Sequence, residues 1–83
     1  MTQQAHVKEL LELMARALVD RPDDVAVSEL EEGDETVLEL HVDPDDVGKV
    51  IGKEGRTVRA LRTVVDAAGE KLGRRYEVEV IEE

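Results

Sequence analysis

Between residues 43 and 73 the chain carries helical spacing on both sides of two glycines that stand three apart, in the run Val47-Gly48-Lys49-Val50-Ile51-Gly52-Lys53-Glu54-Gly55-Arg56. Asp43 suits a helix N-cap and Pro44 the first helical position, so a short helix begins near Pro44. Its apolar residues are Val47, Val50 and Ile51, and it breaks at Gly52. A longer helix then spans residues 56–72. Val58, Ala60, Leu61, Val64, Val65, Ala67, Ala68 and Leu72 fill about half of its circumference, wider than the usual ~100° stripe. Arg56, Arg59, Arg62, Asp66 and Glu70 occupy the other half, and Gly73 is placed to cap its end. Two helices meeting at so tight a joint need one shared surface to pack on.

The flanking sequence supplies that surface. Residues 36–42 alternate, with Leu38, Leu40 and Val42 on one face and Val37, Glu39 and His41 on the other. Residues 25–30 form a shorter strand, and Glu31-Glu32-Gly33-Asp34-Glu35 has turn chemistry, which makes the pair an antiparallel hairpin. The last strand covers residues 75–81, with Tyr76, Val78 and Val80 facing one way. Ahead of the hairpin, Val7, Leu10, Leu11, Met14 and Leu18 follow helical spacing over residues 3–20, where Pro22 stops the helix. The order is helix, strand, strand, helix, helix, strand. The two-helix segment is long enough to cross over between parallel strands. This predicts an α+β fold: a three-stranded mixed sheet with three helices on one face, forming a single domain over residues 1–83.

Composition narrows the function. There is no cysteine, so neither a disulfide nor a thiolate metal site supports the fold. His6 and His41 stand alone, with no metal-ligand spacing around them, and no nucleophile–base arrangement is recognisable. Neither a metal, a cofactor nor an enzymatic activity is expected. The start of the chain lacks a basic region followed by an apolar stretch, and no run approaches the ~18 apolar residues of a membrane span, which points to the cytoplasm.

Net charge is −10, which opposes nucleic acid overall. Its distribution is uneven. Residues 47–75 hold eight basic and three acidic side chains, whereas the remainder holds three basic and eighteen acidic ones. Charges more than ~8 Å apart are largely screened at cellular ionic strength, so the basic segment can attract an anion locally.

The glycine loop opens onto the first turn of the long helix. There, unpaired amide hydrogens and the positive end of the helix dipole favour phosphate. Glycine lets a ligand's backbone come close, and Lys49, Lys53, Arg56 and Arg59 surround the place with positive charge. A G-x-x-G loop between two helices is the pattern by which KH domains clamp about four nucleotides of single-stranded RNA. Val50, Ile51, Leu61 and Val78 are placed to line an aliphatic groove for the bases. Tyr76 is the only aromatic residue, which weighs against modules that stack bases on rings.

The chain resembles the KhpA family of small bacterial KH proteins. The resemblance rests on Leu18-Val19-Asp20-Arg21-Pro22 with Val25 and Val27, on residues 46–56, and on Ala60-Leu61-Arg62 through Ala67-Ala68. It implies the type II KH fold and RNA binding without catalysis, in a post-transcriptional regulator or RNA chaperone of the bacterial cytoplasm. It also implies a homodimer, or a heterodimer with a larger KH-containing protein. Carried onto this chain, the binding loop is Gly52, Lys53, Glu54 and Gly55, with Ile51 as the groove residue ahead of it. The RNA contacts expected are therefore Lys49, Val50, Ile51, Gly52, Lys53, Glu54, Gly55, Arg56 and Arg59.

Other readings of the same residues fit less well. A phosphate-binding P-loop needs four residues between its glycines, but Gly48 and Gly52 enclose three. Asp43, Asp45, Gly48 and Glu54 imitate a calcium loop, yet Val47 stands where an oxygen ligand belongs. A KH-like protein-interaction module with little RNA affinity is the alternative that the acidity favours.

Overall fold

A computed structural model describes residues 3–82 of the chain. Helix α1 (Gln3–Leu18) leads through a 3₁₀ turn at Pro22–Asp24 into strands β1 (Ala26–Glu32) and β2 (Glu35–His41). A second 3₁₀ turn, Pro44–Asp46, opens into the short helix α2 (Val47–Ile51). A third, Lys53–Gly55, joins α2 to α3 (Arg56–Leu72), and β3 (Arg75–Val80) closes the chain. The element order is the one the sequence predicts. Helix α1 ends at Leu18, two residues ahead of the expected limit at Asp20, and β1 begins at Ala26 and runs on to Glu32.

The sheet order is β1-β2-β3, with β1 antiparallel and β3 parallel to β2. Register fixes which residues share a face. Val27 pairs with Leu40 and Leu40 with Val80, Glu29 with Leu38 and Leu38 with Val78. These positions look toward the helices. Val7, Leu11 and Ala15 of α1, Val50 of α2, and Leu61 and Val65 of α3 bury against Val27, Leu38, Leu40, Tyr76 and Val78. Burying each such aliphatic side chain contributes roughly 1.5–3 kcal/mol, which is how a core this small holds together without cross-links.

The opposite face of the sheet is bare of helices, and there Val37 departs from simple alternation. Expected on the outward face, it is nonetheless buried. β2 is the central strand, and Leu30 and Glu77 stand beside Val37 on either side and cover it. Glu35, on the same face, has its carboxyl pushed up by desolvation and by the neighbouring carboxyl of Glu77. On the helix side of β2, the buried hydroxyl of Thr36 accepts from Arg74 Nη2 at 2.9 Å, and the same nitrogen donates to Glu31 at 3.1 Å. A polar group inside the core is thereby satisfied by a side chain from the α3–β3 turn.

Candidate nucleic-acid interface

The loop 52–55 is built from three positive φ angles within four residues. Gly52 has φ +77°, Glu54 +57° and Gly55 +73°. Gly52 combines its φ with ψ 172°, a region that essentially only glycine occupies, and a Cβ there would collide with the Thr57 side chain. The α2 helix closes on this residue through Gly52 N–H donating to Gly48 O at 2.8 Å. Gly55 then caps α3 in the left-handed conformation, with no side chain capping the helix start. The Arg56 N–H is already taken by the Lys53 carbonyl, so only first-turn amides beyond it are left for an oxygen from a ligand.

The expected contact residues fall into distinct groups. Lys53 is exposed and has no ionic partner among the described residues. Arg59 Nη2 donates to the backbone carbonyl of Glu54 at 2.8 Å, across the back of the loop. A carbonyl orients the guanidinium without cancelling its charge. Arg56 is different, since its Nη2 lies 3.2 Å from Glu54 Oε1. Glu54 thus sits where a phosphate oxygen would pair with the same guanidinium. The pair is well exposed and is worth ~0–1 kcal/mol, so a phosphate would displace it at little cost.

Lys49 is not aimed at the loop. Its Nζ lies 3.3 Å from Asp20 and 3.8 Å from the buried carboxylate of Asp46, which also accepts from the amide of Arg21 at 3.0 Å. It fastens the corner after α1 to α2. Of the aliphatic residues expected in the groove, Val50, Leu61 and Val78 are buried in the core, and only Ile51 offers surface. The first three shape the floor from beneath.

The residue that sequence reasoning missed is Arg62. Its Nε and Nη2 both donate to the carbonyl oxygen of Val78, at 3.3 and 3.2 Å. β3 is an edge strand, and Ile81 N–H pairs inward to Leu40 O, so the Val78 carbonyl faces the free edge. The signal available was the spacing Arg56, Arg59, Arg62 along one side of the helix. What spacing could not supply was the strand brought alongside. Arg59 and Arg62, held by carbonyls, and Lys53 are three cations with no ion-paired carboxylate among the described residues, spread over the loop and the first two turns of α3.

A family model described as "KhpA/KhpB, KH domain" matches residues 8–80. The chain belongs to this KH-domain family. An RNA-binding protein KhpA from Halalkalibacterium halodurans is 55% identical over 76 residues, covering 92% of this chain and 100% of its own length. Its counterpart from Aquifex aeolicus is 50% identical over 76 residues, covering 92% and 96%. Among solved structures, Era in complex with MgGDPNP and nucleotides 1506–1542 of 16S ribosomal RNA superposes with a TM-score of 0.68 at 20% identity. That likeness covers 100% of this chain and 33% of the Era chain, and at this identity it shows the fold alone. Among the described residues no helix is long and apolar enough to cross a membrane, and no cluster of His, Asp or Glu could hold a metal ion.

Proposed function

We propose that this KH domain binds single-stranded RNA through the loop 52–55. The amides at the start of α3 take a phosphate, Lys53 and Arg59 flank it, and the bases lie along Ile51 toward β3. The observation that carries this is the concentration of carboxylate-free cations at one uncapped helix start, on a chain otherwise strongly acidic. The name that both relatives bear agrees with it. The role is binding without catalysis, in a post-transcriptional regulator or RNA chaperone of the cytoplasm.

Salt dependence tests this reading. With Lys53, Arg59 and the Arg56 that Glu54 releases each neutralising one phosphate, at roughly −0.7 each on single strands, log K should fall against log salt with a slope of about −2. Titration of labelled single-stranded oligomers across a salt series measures it. A slope of about −6 or steeper would mean a broad basic face and would place binding elsewhere.

A dimer completes the proposal. The apolar half of α3 is too wide for one monomer to bury, since Ala60, Val64 and Ala67 remain exposed on it. The start of α1 lies against the end of α3, where His6, Val7 and Leu10 line a groove with Ala68, Lys71 and Leu72. Leu13, 66% exposed, extends the apolar surface along α1. A second copy, or a larger KH-containing protein, would cover this face. Sedimentation equilibrium at micromolar concentration is expected to give twice the 9.2 kDa of the chain, and Val64→Glu to return it to the monomer. A wild-type mass that stays at one chain removes the homodimer.

A further inference from the structure

We infer that Arg62 and Asp66 read a guanine base in the cleft between α3 and β3. The inference rests on the RNA-binding reading above and adds a base preference to it.

The cleft has a volume of about 200 Å³ and is lined by Arg62, Asp66, Tyr76, Glu77 and Val78. It lies one helical turn beyond Arg59, the residue that ties α3 to the glycine loop. A strand clamped at the loop by its phosphate therefore brings a neighbouring base here. Arg62 spends two donors on the Val78 carbonyl, which fixes the plane of the guanidinium against the edge of the sheet. Its remaining N–H groups have no acceptor among the described residues and face a cleft with no other cation in its lining. Asp66 follows at i+4 on the same helix, so it stands beside Arg62. It has no ionic partner among the described residues. Leaving a donor fork and an acceptor pair unengaged, side by side, is the arrangement that a hydrogen-bonding ligand completes.

The chemistry selects among the bases. A guanidinium fork prefers two adjacent acceptors, and guanine O6 and N7 are its commonest partner. A carboxylate prefers two adjacent donors, and guanine alone presents them, at N1–H and N2–H₂. Adenine, cytosine and uracil satisfy one group or the other, with a single hydrogen bond to the carboxylate. The acids also set a limit. Asp66 and Glu77 repel phosphate, so this end of the cleft accepts a base edge and not the backbone.

The test compares uridine oligomers carrying one central guanosine, adenosine, cytidine or no substitution, titrated against wild type, Arg62→Lys, Arg62→Gln and Asp66→Asn. Wild type should prefer the guanosine strand by about tenfold. Arg62→Lys keeps the charge and loses the fork, so it should lose most of that preference while the salt slope stays unchanged. Asp66→Asn should bind the other three strands more tightly but not the guanosine strand, and so discriminate less. Equal wild-type affinity for all four strands overturns the inference. So does a preference that survives both Arg62 variants, or a uniform weakening in Arg62→Gln with a slope shallower by about 0.7, which marks a phosphate contact. A melting curve for each variant separates these outcomes from a lost edge contact on β3. If wild type binds none of the strands, the RNA-binding reading itself falls, a result distinct from binding without preference.

Discussion

Replacing Lys53 and Glu54 together by Asp is expected to abolish RNA binding and leave the fold intact. Both side chains are exposed, and neither contributes to the core. Position 54 has φ +57°, which Asp tolerates better than most residues because its short side chain bonds locally. The charge at position 53 changes from +1 to −1 at the centre of the phosphate site. Two unit charges ~4 Å apart interact by about 1 kcal/mol in water and about 4 kcal/mol near a protein surface. Reversing one therefore removes at least ~2 kcal/mol of binding, roughly thirtyfold, so a complex of micromolar affinity no longer saturates at micromolar concentration. Far-ultraviolet circular dichroism should be unchanged, and titration of a single-stranded oligomer should show no saturation. Undiminished binding by a folded double variant would mean that the loop is not the site.

The complementary single change, Glu54→Gln, bears on the same geometry from the other side. It removes the carboxylate that now pairs with Arg56 and should tighten binding a few-fold. Opposite signs from two substitutions at one loop would be hard to obtain from a general loss of stability.

Much of this fold is legible because its punctuation is local. Asp43 does cap the following turn, its Oδ1 accepting from Asp45 N–H at 2.8 Å, and Gly73 does end α3 with φ +71°. The glycine loop needs only its own φ angles and the helix that follows. What the chain conceals is long-range. Lys49 reads as a phosphate contact until the turn after α1 brings Asp20 alongside it, twenty-nine positions back. Val50 reads as a groove residue until the sheet closes beneath α2 and buries it. Arg62 reads as one more solvated cation until β3 returns beside α3, sixteen residues later. Each of these depends on where one element lies against another, and charge and periodicity say nothing of that. On the proposed reading this leaves a smaller and differently placed set of cations for RNA: Lys53, Arg59 and Arg62, with Arg56 paired to Glu54.

Two glycines of similar appearance in the sequence should respond in opposite ways to alanine. Gly69 lies inside α3, where glycine costs ~1 kcal/mol relative to alanine, so helix propensity alone favours the change. Its surroundings forbid it. A Cβ there would stand 2.6 Å from Tyr76 Cδ2 and 2.8 Å from the Arg74 carbonyl oxygen. Neither neighbour is free to give. Arg74 N–H is bonded to Gly69 O at 2.8 Å, which closes the α3–β3 turn, and the Tyr76 ring is buried against the core. Overpacking of this kind costs typically ~1–3 kcal/mol, and against two unyielding neighbours the upper end outweighs the ~1 kcal/mol gained in propensity, so Gly69→Ala should lower the melting temperature by several degrees, at ~4–8 °C per kcal/mol for a domain of this size. Because Tyr76 also lines the cleft beside Arg62, the same variant should loosen RNA binding more than its stability loss explains. Gly48, in α2, has open space where a methyl group would go, with no atom within 4 Å, and no positive φ. There alanine should add ~0.4–1 kcal/mol by restricting the unfolded chain and favouring the helix. Thermal melts of the two variants decide the matter. A Gly69→Ala protein as stable as wild type would show that the α3–β3 turn yields easily, and the rigid cleft wall on which base reading by Arg62 depends would be gone.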